Sequence, residues 1–300
     1  MTTIRIGTRA SPLALKQAHM AQAYLERAPG FAGVTFTLHP MVTTGDRITD
    51  RPLYDEGGKG LFVKELEEAL LADQIDIAIN SLKDVESILD PAFTLAAYLP
   101  REDARDILIT QNGFSLETLP AGTLIGTSSP RRMAQTLHKR PDCAIAPIRG
   151  NVGTRLDMLT QGRVEGLILA AAGLKRLDLI DPRMVFLEPE QMLPACGQGV
   201  LAIECLTSRD DLHTLLADVT DPQSHLCATA ERALLRALGG SCRTPIGAYA
   251  RVLNTGQIHL SGMLAQEIGA DPLFAQATGS NPDALGIAVA EALCALGKKS

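Results

Sequence analysis

The sequence contains no tryptophan, and aromatic residues make up only 4% of its 300 positions. Proteins that hold single-stranded nucleic acid stack bases on aromatic side chains, so no base-stacking platform is expected. A basic excess is missing as well. The formal net charge is -6, whereas a nucleic-acid binder needs a net basic face. No apolar run approaches the length that crosses a bilayer. The first residues, Ile4-Arg5-Ile6-Gly7, lack a basic segment followed by an apolar one, so no secretory signal is expected. Cys143, Cys196, Cys205, Cys227, Cys242 and Cys294 form no CxxC pair and have no histidine partners at zinc spacing. That excludes the usual disulfide and zinc patterns and fits a reduced, cytoplasmic setting. The expectation is a soluble protein with no nucleic acid, membrane or metal partner. With 46% hydrophobic and 21% charged residues, the composition is that of an ordinary globular chain, long enough for two or three domains.

What is present centres on Asp76-Ile77-Ala78-Ile79-Asn80-Ser81-Leu82-Lys83-Asp84. Ile75, Ile77 and Ile79 make a short β-branched run, which reads as a largely buried strand. It stops at Asn80-Ser81, and Lys83 and Asp84 follow at once. In open α/β sheets, ligands sit just beyond the carboxyl ends of strands. One Lys-Asp pair by itself also fits an ordinary solvated turn, because loops are polar anyway.

The chain then repeats itself. Ile4-Arg5-Ile6-Gly7-Thr8-Arg9-Ala10-Ser11-Pro12 reads as a strand, a turn and a helix start, with Ser11 as N-cap and Pro12 as first helical residue. Leu124-Ile125-Gly126-Thr127-Ser128-Ser129-Pro130-Arg131-Arg132 repeats that logic, with Ser129 as cap. Gly166 to Arg176 echoes Ile75 to Asp84: an apolar strand, a small-residue turn, then basic residues. Arg149-Gly150-Asn151-Val152-Gly153-Thr154-Arg155 is a strand end feeding a helix. Helix N-termini with free amides, hydroxyls and arginines bind anions, and arginine is the better fork for carboxylate or phosphate. An acidic chain that gathers Arg9, Arg131, Arg132, Arg149, Arg155 and Arg176 in turns is suited to a small polyanion. Each of them, taken singly, also fits a helix cap or a surface ion pair.

From Thr43 to Gly60 there is little periodicity and much glycine, as in a lid. Leu61 to Leu71 reads as an amphipathic helix. Gly57-Gly58-Lys59-Gly60 lacks P-loop spacing. Pro100 to Asp106 and Pro194-Ala195-Cys196-Gly197-Gln198-Gly199 read as two crossings of a hinge, after which Val200 to Glu204 returns as a strand to the first unit. The expected architecture is two similar α/β domains of the two-lobed, periplasmic-binding-protein-like kind, facing each other, plus a small α+β C-terminal domain. Expected boundaries are 1–99 with 200–217, 105–193, and 218–300. The third unit holds a helix over Ala228 to Leu238, strands Ala248 to Leu253 and Gln257 to Leu264, and a helix over Ala284 to Leu296. Cys242 falls in a glycine-rich loop after a helix. Cys143, Cys205 and Cys294 sit in apolar or helical runs and fit buried core thiols.

Taken in order, these stretches resemble the hydroxymethylbilane synthase (porphobilinogen deaminase) family along almost the whole chain. The matching segments are Gly7 to Ala14, Gly57 to Glu65, Ser81 to Val85, Gly126 to Arg132, Arg149 to Arg155, Ala172 to Arg176, Pro194 to Gly199 and Gly239 to Cys242. The resemblance implies a cytoplasmic, monomeric, three-domain enzyme of tetrapyrrole biosynthesis with a dipyrromethane cofactor, joined by a thioether to Cys242. Such enzymes condense four porphobilinogen molecules head to tail, release ammonia each time, and hydrolyse off hydroxymethylbilane. It implies Asp84 as the catalytic group. Lys83, Ser81, Thr127, Ser129, Arg131, Arg132 and Arg155 match cofactor-binding positions. Arg9, Ser11, Arg149, Arg155, Arg176, Lys59, Phe62 and Gln198 match substrate-binding positions.

Physical chemistry agrees with those roles. Each pyrrole carries two carboxylates, and each charge-assisted contact contributes about 1.5–3 kcal/mol. Loss of ammonia leaves an electron-poor, azafulvene-like species, which an ionised Asp84 near the pyrrole N–H groups would stabilise while moving protons. Lys83 beside it would favour the ionised carboxylate. Three positions depart from the family's habit: Asn80 stands where His is usual, Glu86 where Pro is usual, and Asp55 where Lys is usual. Glu86 would raise the pKa of Asp84 if it pointed inward. Two other readings compete. One is a non-catalytic two-lobed carboxylate binder, which the third unit with Cys242 does not fit. The other is a family member with impaired turnover, motivated by Asn80 and Glu86.

Overall fold

A computed structural model describes residues 3–47, 62–240, 244–266 and 270–298. The expected lid segment from 48 onward, with Asp55 and Lys59, and the cysteine Cys242 lie outside these described residues.

The first unit runs β1 (Thr3–Arg9), α1 (Pro12–Leu25), β2 (Thr35–Met41), α2 (Thr44–Arg47), α3 (Lys64–Leu71), β3 (Ile77–Ser81) and β4 (Phe93–Tyr98). The second runs β5 (Asp106–Thr110), β6 (Leu124–Gly126), α4 (Pro130–Lys139), β7 (Ala144–Ala146), α5 (Val152–Thr160), β8 (Gly166–Ala170), α6 (Ala171–Arg176) and β9 (Met184–Leu187). Then follow β10 (Leu201–Leu206), α7 (Asp210–Ala217), α8 (Pro222–Ala237), β11 (Ile246–Val252), β12 (Ile258–Leu264), β13 (Leu273–Gly279) and α9 (Pro282–Gly297).

Two five-stranded sheets share one plan. Their orders are β2-β1-β3-β10-β4 and β7-β6-β8-β5-β9. In each, the first three strands are parallel and the fourth is antiparallel to both its neighbours. The fourth places belong to β10 and β5, the strands that follow the two crossings. The repeat seen in the sequence is thus a repeat of sheets. A third, antiparallel sheet, β11-β12-β13, packs on α8 and α9.

Buried β-branched residues drive the first sheet. Ile4, Ile6, Ile77, Ile79 and Ile203 pack with Leu25 of α1 and with Leu212 and Leu216 of α7. Each such side chain contributes about 1.5–3 kcal/mol when fully buried. Ser11 accepts from Ala14 N–H and Ser129 from Arg132 N–H, with Pro12 and Pro130 in the first turns, so both expected caps form. α3 begins at Lys64, and the connection before it opens with the helical turn α2. Glu65 accepts the backbone and hydroxyl hydrogens of Thr44, tying that turn to α3.

The two crossings run side by side. Glu102 N–H donates to Gly199 O at 3.1 Å. Gly199 has φ +92°, and a Cβ there would lie 2.3 Å from Glu102 O, so glycine is required. Glu231 of α8 locks both crossings to the third sheet. Its buried carboxylate accepts from Arg101 at 2.6 Å, from Gly197 N–H at 2.6 Å and from Ala250 N–H at 2.7 Å.

Two expectations change. Cys143, Cys196, Cys205 and Cys227 are buried, but Cys294 is exposed: its position on α9 lies off the face formed by Leu285, Val289 and Leu293. The third sheet also has an edge strand, β13, in which half-buried Leu273, Ala275, Ala277 and Gly279 alternate with exposed Phe274, Gln276 and Thr278.

Candidate active site

β3 ends at the cleft between the two large sheets, and a 3-10 turn, Leu82–Asp84, follows it. Leu82 anchors that turn: it is 1% exposed and packs with Val200, Ala202 and Ala228. Lys83 and Asp84 thereby face a cleft of about 840 Å³. The other described residues singled out from the sequence line the same cleft. Arg9, Ser11, Phe62 and Ser81 come from the first unit. Thr127, Ser129, Arg131, Arg132, Arg149, Arg155 and Arg176 come from the second, and Gln198 from the crossing. Among the described lining residues there are seven cations and one carboxylate, Asp84. Leu235, Thr244 and Ile246 close the side toward the third sheet.

The cations are crowded: Arg131, Arg132 and Arg176 are buried, and Arg9, Lys83, Arg149 and Arg155 are half-buried. Burial lowers Lys83 to about 8, with Asp84 opposing and Arg132 adding to the shift. Lys83 donates to Gln198 Oε1 at 3.4 Å. Burial, helped by Arg132 and Arg149, lowers Arg155 to about 10, while Asp84 opposes. Burial lowers Arg176 to about 10. Arg155 Nε donates to Gly150 O at 2.9 Å, and Arg176 to Gly199 O at 2.6 Å. Arg9 lies over the Phe62 ring at 4.1 Å. The basic pair at the end of α6 divides: Arg176 faces the cleft, whereas Lys175 binds Asp103 at 2.9 Å beside the crossings.

Sequence reading missed the group that holds the arginines. Asp106, at the start of β5, is fully buried. It accepts from Arg131 at 2.7 Å, Arg132 at 2.8 Å and Gln198 at 2.9 Å. Burial alone would raise this carboxyl, but Arg131 and Arg132 outweigh it and hold Asp106 well below the usual range. Arg131 also donates to Leu193 O and Arg132 to Ile168 O. The guanidinium pair is therefore pre-set before any ligand arrives. The signal was a lone Asp opening the apolar run Ile107-Leu108-Ile109. Gln17 was missed too; it exchanges hydrogen bonds with Ser81 at the cleft wall.

Asn80 does not enter the cleft lining. Its amide donates to Glu204 Oε2 of the neighbouring strand β10 at 2.7 Å in a buried contact. Burial first, then Glu67, pushes Glu204 up to about 8. The charge of Glu86 acts on Glu67, whose carboxyl is raised chiefly by burial, then by Asp90 and Glu86.

A dipyrromethane fits what is present. It carries carboxylates, and the cleft offers recessed cations, including the buried and unpartnered Nε atoms of Arg131 and Arg176. Such donors gain from an anion at close quarters. The buried cysteines are unsuited to attack. Burial pushes Cys196, which lines the cleft, up to about 12, and Cys205 and Cys227 up to about 11. Cys242 lies outside the described residues.

Fold and cleft together define a two-lobed α/β protein with a cationic site around one carboxylate and a small α+β C-terminal unit. The model of the porphobilinogen deaminase dipyromethane cofactor binding domain matches residues 4–214, and that of the porphobilinogen deaminase C-terminal domain matches 225–295. Porphobilinogen deaminase of Nitrobacter winogradskyi is 46% identical over 279 residues, covering 93% of this chain and 88% of that protein. That of Chromobacterium violaceum is 46% identical over 301 residues, covering 100% and 96%. Among solved structures, the periplasmic VFT2 domain of Bordetella pertussis BvgS is 11% identical with a TM-score of 0.43, covering 73% of this chain and 86% of that one. The chain belongs to the porphobilinogen deaminase family.

Proposed function

We propose that the protein is a hydroxymethylbilane synthase, a transferase that joins four porphobilinogen molecules head to tail, releases ammonia at each addition and hydrolyses off the linear product. The observation that carries this reading is the cleft itself: seven cations gathered around Asp84 in a chain of net charge -6. Family membership supplies the reaction.

Arg131, Arg132, Lys83, Ser81, Thr127, Ser129 and Arg155 hold the carboxylates of a dipyrromethane attached through a thioether at Cys242. When bound, that group supplies the pyrrole carbon from which the chain is extended. Arg9, Ser11, Arg149, Arg155, Arg176, Phe62, Gln198 and Lys59 receive the acetate and propionate of incoming porphobilinogen. Arginine forks fix its orientation as well as its affinity. Asp84 Oδ stabilises positive charge on the substrate as its amine departs. It also moves the proton that leaves with ammonia. Asp106 keeps Arg131 and Arg132 aimed, so the ligand need not organise them.

The reading includes a monomeric, cytoplasmic enzyme divided at 1–99 with 200–217, 105–193 and 218–300. Incubation with porphobilinogen tests the function. Ammonia released in step with a linear tetrapyrrole is the expected result. Saturable porphobilinogen binding without ammonia would establish the carboxylate-binding alternative instead.

A further inference from the structure

We propose that Arg232 is a positioning residue that keeps the Asp84 turn in register with the loop leading to Cys242. The inference rests on the functional reading above.

α8 touches that turn along one face. Ala228 packs against Leu82, directly before Lys83 and Asp84. One helical turn later, Arg232 is 6% exposed and donates to the three carbonyls that follow Asp84. These are Glu86 O at 2.8 Å, Ser87 O at 3.4 Å and Val85 O at 3.5 Å. Residues four apart lie on one helix face, so one face of α8 grips the chain before and after Asp84.

The same helix sets the start of the cysteine loop. Gly240 N–H donates to Leu235 O at 3.0 Å. A Cβ on Gly240 would lie 2.3 Å from Ile246 Cδ1 and 2.8 Å from Leu235 Cδ1, so the backbone is packed between the end of α8 and the start of β11. Ser87 then closes the circuit: its hydroxyl donates to Gly240 O at 3.0 Å in a buried contact. The catalytic turn and the entry to the cysteine loop are thus bonded to each other and to one rigid helix. Arg232 and Ser87 are both absent from the described cleft lining. Losing them displaces Asp84 relative to the attached group without removing a carboxylate partner. Misplacement by about 1 Å can cost about a hundredfold in rate.

The test uses full-length Arg232→Lys and Ser87→Ala, with activity expressed per molecule carrying pyrroles as counted by intact mass. A lysine ammonium cannot span three carbonyls. Arg232→Lys is expected to lower kcat about tenfold or more, with KM for porphobilinogen within about twofold. Ser87→Ala, the gentler change, is expected to lower kcat in the same direction and less. Hydrogen exchange should quicken together in peptides covering 82–90 and 234–240, and stay unchanged over 166–176. Wild-type kcat in both loaded variants would overturn the inference alone. So would a joint change of kcat and KM with faster exchange throughout, which marks a merely structural role. Wild-type protein that releases no ammonia would overturn the functional reading beneath it.

Discussion

Replacing Glu204 by Gln is expected to stabilise the protein in neutral and basic solution and to leave it little changed in acid. Glu204 is fully buried on β10, and its Oε1 has no partner. Asn80 of β3 donates to its other oxygen, Glu67 of α3 repels its charge, and Arg232 of α8 opposes that repulsion from a distance. Burial is the largest influence, and the carboxyl stands at about 8 rather than 4.5. Below pH 4.5 the group is protonated in both folded and unfolded chains, so it costs nothing. Between pH 4.5 and 8 the native state holds a proton that the unfolded state has lost, so stability falls as pH rises. Each unit is worth about 1.36 kcal/mol, which places the full loss near 3–5 kcal/mol by pH 8. Glutamine has the shape of the neutral acid and can accept from Asn80. Urea unfolding of wild type and Glu204→Gln from pH 5 to 8.5 measures the difference. It should widen steadily in favour of the variant. A constant difference, or one that widens in favour of wild type, would show that Glu204 is ionised in the native protein.

Three further outcomes follow from the cleft. Asp84→Asn should lower turnover by at least about a hundredfold while thermal unfolding stays near wild type; near-normal product formation would refute the need for the charge. Arg131→Leu leaves buried Asp106 half-paired, which costs about 3–5 kcal/mol, and should yield mostly pyrrole-free protein with a lower Tm. Full occupancy and normal turnover would refute that role. Lys83 stands at about 8, and a bound carboxylate favours its charged form. Pyrrole-free protein should therefore take up the dipyrromethane less readily as pH rises through 8, and Lys83→Met should load poorly with that part of the pH dependence gone. Identical pH dependence in both proteins would remove Lys83 from the site.

Local signals carried much of the architecture. The isoleucine run before Lys83 and Asp84 and the two Ser-Pro starts at Ser11 and Ser129 each combine a strand period with a cap, and all are local chemistry. What stayed hidden depends on partners far apart in sequence. Asp106 looked like one more charge in a hinge until Arg131, Arg132 and Gln198 converged on it. Glu204 read as the end of a strand because nothing nearby announces Asn80, 124 residues away. Arg232 lies unmarked within the helix expected over Ala228 to Leu238, and its partners are backbone carbonyls, which carry no residue code. Glu86 is close to Asp84 in sequence, but in the fold its charge acts on Glu67.

The central claim is that the cleft works with a dipyrromethane attached at Cys242. A thioether resists thiol reductants, and the buried Cys196, held as a neutral thiol near 12, is no competitor. The direct measurement is the intact mass of denatured, reduced protein purified from cells that make porphobilinogen. Wild type and Cys196→Ser should both exceed their sequence masses by two linked pyrroles, and Cys242→Ser should show neither the added mass nor turnover. A wild-type mass equal to that of the bare chain, even after incubation with porphobilinogen, would contradict the account.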